Sequence, residues 1–162
     1  MLMTADDRSG SSARPPGRQK SSHSGRGWEL FAHDADIGIR GFGKTRETAF
    51  EEAACALSAV ITDVTHIRRT ASVDIVCNAP NDDMLLYEWL NAIVYEMAAR
   101  DMIFGRYSVQ IHDHGLTAQA WGEEIDVERH QPAVEIKGAT MTELHVARDS
   151  EGHWMAQCVV DV

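Results

Sequence analysis

Two stretches of this chain repeat apolar residues at helical spacing, and almost every other patterned stretch alternates in and out as a strand does. Residues 46–61 carry Phe50, Ala53, Ala54, Leu57, Val60 and Ile61 on one helical face, with Thr45 placed to cap the N-terminus. Residues 83–100 carry Leu86, Trp89, Leu90, Ile93, Val94 and Met97, with Asp82 or Asp83 as the cap. Leu85 and Tyr87 widen that second stripe, which predicts the more deeply buried helix of the two, with Trp89 and Leu90 facing a sheet. Strand-like segments are expected at 28–32, 36–42, 72–77, 107–111, 116–121, 133–136, 141–147 and 154–162. The order is two strands, helix, strand, helix, then a run of strands. That order predicts an α+β two-layer sandwich, a mixed β-sheet with both helices packed on one face.

A chain of 162 residues with 44% hydrophobic and 25% charged side chains suits one globular domain. No apolar run reaches membrane-spanning length, and no continuous apolar stretch opens the chain as a secretory signal would. Cys55, Cys77 and Cys158 are odd in number and form no CxxC pair, so neither a disulfide framework nor a structural zinc site is expected. The cytoplasm is the expected compartment. Charge says more. Residues 1–26 hold five basic side chains against Asp6 and Asp7, a net of +3; with −10 for the whole chain, −13 remains for residues 27–162. The Ser, Gly, Arg and Pro composition of 1–26 predicts a disordered basic tail, followed by a domain at 27–162. A domain this acidic repels phosphate backbones and suits a basic protein or a cation, so neither nucleic acid nor a membrane is expected to bind it directly.

Three places carry clustered polar groups. His33-Asp34-Ala35-Asp36 joins the first two strands, and its carboxylates have the oxygen donors that calcium or magnesium needs; the same residues also suit a solvated turn. In the last strand Trp154, Ala156, Cys158, Val160 and Val162 share one face while Asp161 points to the other, beside the end of the sequence. That reads as a compact anionic group or as a charged edge-strand tip. The third place runs from Glu123 and Glu124 through Asp126, Glu128, Arg129 and His130 to Lys137, either a site or a solvated connection. His112 and His114 beside Gly115 read as a hairpin tip. No P-loop, HExxH, GxGxxG or nucleophile motif occurs.

Residues 28–162 together resemble the archease family. The resemblance rests on His33-Asp34-Ala35-Asp36-Ile37-Gly38-Ile39-Arg40-Gly41, on Leu85-Leu86-Tyr87-Glu88-Trp89-Leu90, and on Gly122-Glu123 leading to His130. Ile136-Lys137-Gly138 and the closing Asp161-Val162 complete it. It implies an activator of a manganese- and GTP-dependent RNA ligase, and not an enzyme. That ligase joins 3′-phosphate or 2′,3′-cyclic phosphate ends to 5′-hydroxyl ends in tRNA splicing or RNA repair. The activator promotes ligase guanylylation and repeated turnover. The resemblance also implies that the strands bearing Asp36 and Asp161 meet. A divalent cation would then bind Asp36, Asp161 and the main-chain carbonyl or carboxylate of Val162: calcium first, magnesium or manganese as alternatives. His33, Asp34, His130 and Lys137 would be additional metal or partner contacts. Asp34 replaces the usual Thr, Met141-Thr142 replaces a Tyr-His pair, and the basic tail lies outside the resemblance. Two other readings stand beside it: a metal-dependent hydrolase using Asp34, Asp36 and His130, and a chaperone-like adaptor with a broad apolar patch.

Overall fold

The computed structural model describes residues 18–19 and 25–162. The expected disordered tail, 1–26, lies outside the described residues except at those few positions. There, Arg18–Gln19 forms a short strand, β1, and Arg26 Nε donates to Glu52 at 2.8 Å. Then follow β2 (Gly27–His33), β3 (Asp36–Gly43), α1 (Arg46–Ile61), a 3-10 turn at Val64–His66, β4 (Ala71–Asn78) and α2 (Asp82–Arg100). The chain continues through β5 (Met102–His112), β6 (Gly115–Glu124), the short α3 (Val127–His130), β7 (Gly138–Ala139), β8 (His145–Arg148) and β9 (Trp154–Asp161).

The α+β class stands, and the strands divide between two sheets. One has the order β1-β2-β3-β9-β7, with β8 also on β9; the other has the order β4-β6-β5. All ladders among the described residues are antiparallel. Each main helix touches both sheets: α1 lies against β3 and β5, α2 against β4, β5, β7 and β8. The helices therefore form a filling shared by the two sheets rather than a layer over one.

Depth of burial reverses the expectation for the helices. α1 has ten buried residues and α2 has five. Width of the apolar stripe predicted the opposite, but side-chain size decided it. Four alanines among the buried positions of α1 (Ala49, Ala53, Ala54, Ala56) let packed elements approach from opposite sides. The approach is close enough that a Cβ on Gly41 of β3 would lie 2.2 Å from the Ala53 nitrogen. Glycine is required there because backbone meets backbone. Thr45 caps α1 through its hydroxyl, which accepts from Thr48 N–H at 3.1 Å. In α2 the cap is Asn81, whose Oδ1 accepts from Met84 N–H at 2.9 Å, so Asp82 and Asp83 fall in the first turn. Those acids serve other partners there. Asp82 pairs with Arg46 at 2.7 Å and Asp83 accepts from Val146 N–H of β8 at 2.8 Å.

Trp89 and Leu90 are fully buried, as their position on the stripe requires. The Trp89 indole donates to the Phe50 carbonyl at 3.1 Å and meets the Tyr107 ring edge-on at 5.8 Å. Tyr107 in turn shares a 2.6 Å hydrogen bond with Ser58, so one cluster ties α1, α2 and the second sheet. The turn at 113–114 after His112 confirms the hairpin tip. Two strand expectations fail. Residues 133–136 alternate in burial but form no ladder among the described residues, because alternation reports where side chains point and not whether the backbone has a ladder partner. Residues 141–147 begin as a turn, with Glu143 left-handed at φ 55°, and only His145–Arg148 pairs.

Candidate functional site

The β2–β3 hairpin turns on Asp34 and Ala35, with Asp34 in the left-handed region at φ 51°. Asp tolerates that conformation better than most residues. Its side chain is 94% exposed and lies 3.9 Å from His33 Nδ1. Asp34 thus serves the turn, and the hairpin closes on the pair His33↔Asp36.

Antiparallel pairing then carries Asp36 to the far end of the chain. β3 pairs with β9 from Gly43↔Trp154 down to Ile37↔Val160, and one step further along that ladder stand Asp36 and Asp161. Ladder neighbours on one face have Cβ atoms about 4.5–5.5 Å apart. β7 extends the row on the other side through Gly138↔Asp161, and the Lys137 N–H donates to the Asp161 carbonyl at 2.8 Å. Asp36, Gly38 and Arg40 face away from the helices, since Ile39 and Gly41 on the opposite face are buried against α1. His33, Asp36 and Asp161 therefore form one row at one end of the first sheet, with Lys137 and Val162 alongside.

That row is acidic and unbalanced. Neither Asp36 nor Asp161 has an ion-pair partner among the described residues. Arg40 is roughly 13 Å further along the strand, from four residues at about 3.3 Å each. It is committed elsewhere: it pairs with Glu29, donates to Gln157 Oε1 at 2.8 Å, and lies 4.5 Å from the centre of the Phe31 ring. Asp161 and Lys137 are exposed, whereas His33, Asp36 and Val162 are half-buried. Among the described residues no three His, Cys, Asp or Glu side chains converge as a metal cage. A cation here would draw on two carboxylate side chains and on main-chain oxygen.

His130 belongs to a different arrangement. It is buried, its Nδ1 accepts from Asp126 N–H at 2.8 Å, and its Nε2 lies 3.2 Å from Glu123 Oε2. With both ring nitrogens engaged, it is available neither as a metal ligand nor as a partner contact. Glu123 also receives the Arg129 guanidinium and the Arg68 N–H. Led by the Arg129 hydrogen bonds, these donors hold its carboxyl near 2, well below the ordinary 4.5. The sequence left these residues as either a site or a solvated connection; the signal for a buried acid was its neighbour Gly122, which packs against the Ile103 backbone. Glu124 and Glu128 remain on the surface.

Residues 28–162 match the model of the Archease protein family (MTH1598/TM1083). The chain belongs to the archease family. It is 38% identical over 141 residues to the archease of Pyrococcus furiosus, covering 85% of this chain and 99% of that protein. It is 34% identical over 146 residues to the archease of Methanosarcina barkeri, covering 87% and 99%. The solution structure of Methanobacterium thermoautotrophicum protein 1598 superposes with a TM-score of 0.72 at 29% identity, covering 84% of this chain and 99% of that one. The archease family is one of non-catalytic proteins, and this member is not an enzyme. No helix among its described residues is long and apolar enough to cross a membrane.

Proposed function

We propose that this archease activates a GTP-dependent RNA ligase in tRNA splicing or RNA repair. It would promote ligase guanylylation and repeated turnover through a divalent-cation site on Asp36, Asp161 and the carbonyl or carboxylate of Val162. One observation carries the reading: the β3–β9 and β7–β9 ladders gather Asp36, Asp161 and Lys137, far apart in sequence, at one end of a sheet. Two adjacent carboxylates without a counter-charge repel one another, and a cation relieves that repulsion. The donors are all oxygen, which suits calcium, magnesium or manganese over zinc. When bound, such an ion supplies positive charge toward phosphate oxygens at the partner's nucleotide site. The chain's own residues do the rest. The ladder fixes Asp36, the exposed Asp161 presents its carboxylate outward, and the exposed Lys137 offers an ammonium for a partner contact. His33 stands beside Asp36 as a further contact.

Three features favour this reading over the alternatives. His130 is enclosed, so a hydrolase built on Asp34, Asp36 and His130 lacks an accessible base. Among the described residues, the exposed large hydrophobics are Val76, Tyr95, Val127 and Met141, one on each of four segments rather than the run an adaptor would present. The −13 charge of residues 27–162 speaks against direct binding of RNA. The test is to titrate wild type, Asp36→Asn and Asp161→Asn with calcium, magnesium and manganese while following melting temperature and, in parallel, guanylylation of the ligase. Wild type alone should gain stability from a cation and stimulate guanylylation. Equal stimulation by all three proteins refutes the role given to the acidic row.

A further inference from the structure

The segment that leads from α3 into β7 is unfinished as a strand. Val134 and Ile136 point inward while Ala133, Glu135 and Lys137 point outward, the alternation of a paired strand. Its two ends are anchored: the Ala133 N–H donates to the Ile61 carbonyl at 2.8 Å and the Lys137 N–H to the Asp161 carbonyl at 2.8 Å. Between them, the backbone N–H and C=O groups of residues 134–136 bond to no described residue. Just downstream, the fold deals with an open backbone differently. The Asn91 side-chain amide of α2 covers Ala139, accepting from its N–H at 2.9 Å and donating to its carbonyl at 3.5 Å. Past Asn91, α2 gives no such cover.

What lies there is a half-open cavity of about 480 Å³, between residues 132–136 and the C-terminal half of α2. Val94, Met97, Ala98, Ile103 and Ile125 provide its apolar wall. This volume is in the range of sites that take a compact apolar group, and methionine walls adapt to different side chains. The charged residues that line it have one sign. Asp101 and Glu135 line it, and no Lys or Arg does. Asp101 is also the C-cap of α2, where the helix dipole is negative and cations are favoured.

We infer that residues 133–136 and this cavity form a docking groove for an extended segment of a partner protein in which apolar residues alternate with Lys or Arg. Such a segment adds as a strand along the edge of Val134 and Ile136, which bonds to no described residue. Its apolar side chains enter the cavity while its cationic ones meet Asp101 and Glu135. The groove uses neither Asp36 nor Asp161, so it stands or falls apart from the cation site.

The probe is a fluorescent octapeptide alternating Lys with Val and Leu, compared with one in which Glu replaces Lys and one in which the Lys residues are grouped together. Binding is followed by fluorescence anisotropy, and the site by backbone amide exchange. The alternating Lys peptide should bind best and slow exchange of amides in 134–136. Ala98→Trp fills the groove from an exposed position. Val134→Pro removes an N–H that bonds to no described residue, on the edge opposite the Ala133 and Lys137 N–H groups. With unchanged melting temperatures, each should weaken binding about tenfold, the loss expected for one or two hydrogen bonds or an excluded side chain. Equal binding by the variants, protection scattered over the acidic surface, or a concentration-dependent dimer that protects the same amides without peptide would each overturn the inference.

Discussion

Two acidic regions of this archease are built in opposite ways. Around Glu123 every oxygen is answered within the fold, by Arg129, the Arg68 N–H and the His130 ring. Around Asp36 and Asp161 nothing among the described residues answers, and the nearest strand arginine, Arg40, is held by Glu29, Gln157 and Phe31. A carboxylate whose counter-charges are built in contributes to stability; one left without them costs stability until something else supplies the charge. The first region is architecture and the second is the interaction surface we propose, although both read alike as clusters of acidic letters.

The sharpest way to break this contrast is to remove the unanswered acids. Asp36→Ala or Asp161→Ala should abolish ligase activation and cation-induced stabilisation, yet leave the cation-free melting temperature unchanged or slightly raised, because a repulsion disappears. Measuring both quantities on each variant decides it; a large fall in cation-free stability would make the row architectural after all. Trp89→Ala acts on the scaffold common to both regions. The indole is fully buried and bonded to Phe50, so denaturant unfolding should show a loss of about 3–5 kcal/mol.

The answered region should respond to pH. Glu123 titrates near 2 in the folded protein against an ordinary 4.5, so its contribution is fully present above the unfolded value. It is lost as pH falls from about 4.5 through 2. Glu123→Gln should flatten that part of the acid-unfolding curve and leave ligase activation at neutral pH intact. The smallest effect belongs to Asp34, a carboxylate in the unanswered cluster that the structure gives to the turn. Asp34→Gly, at φ 51°, should change melting temperature and activation little. Strong loss of cation binding in that variant would instead bring Asp34 into the site.

The sequence by itself determined the local and periodic features: α1 at residues 46–61 with its Thr45 cap, the body of α2, the burial of Trp89, and the outward orientation of Asp161 on the last strand. These follow from side-chain spacing and cap chemistry within a few residues of one another. The conjunction of Asp36 with Asp161 was legible only through resemblance to a family, since nothing near either residue names the other. Pairing did the joining in the structure, because an antiparallel ladder can bring together residues from opposite ends of a domain. Tertiary packing alone decided the division into two sheets and the deeper burial of α1, where alanines and Gly41 permit close approach. It also decided the unpaired strand at 133–136 and the enclosure of His130 beside Glu123. In each case the outcome depended on which backbone or charge from elsewhere in the chain arrived as neighbour, and local pattern carries no information about that.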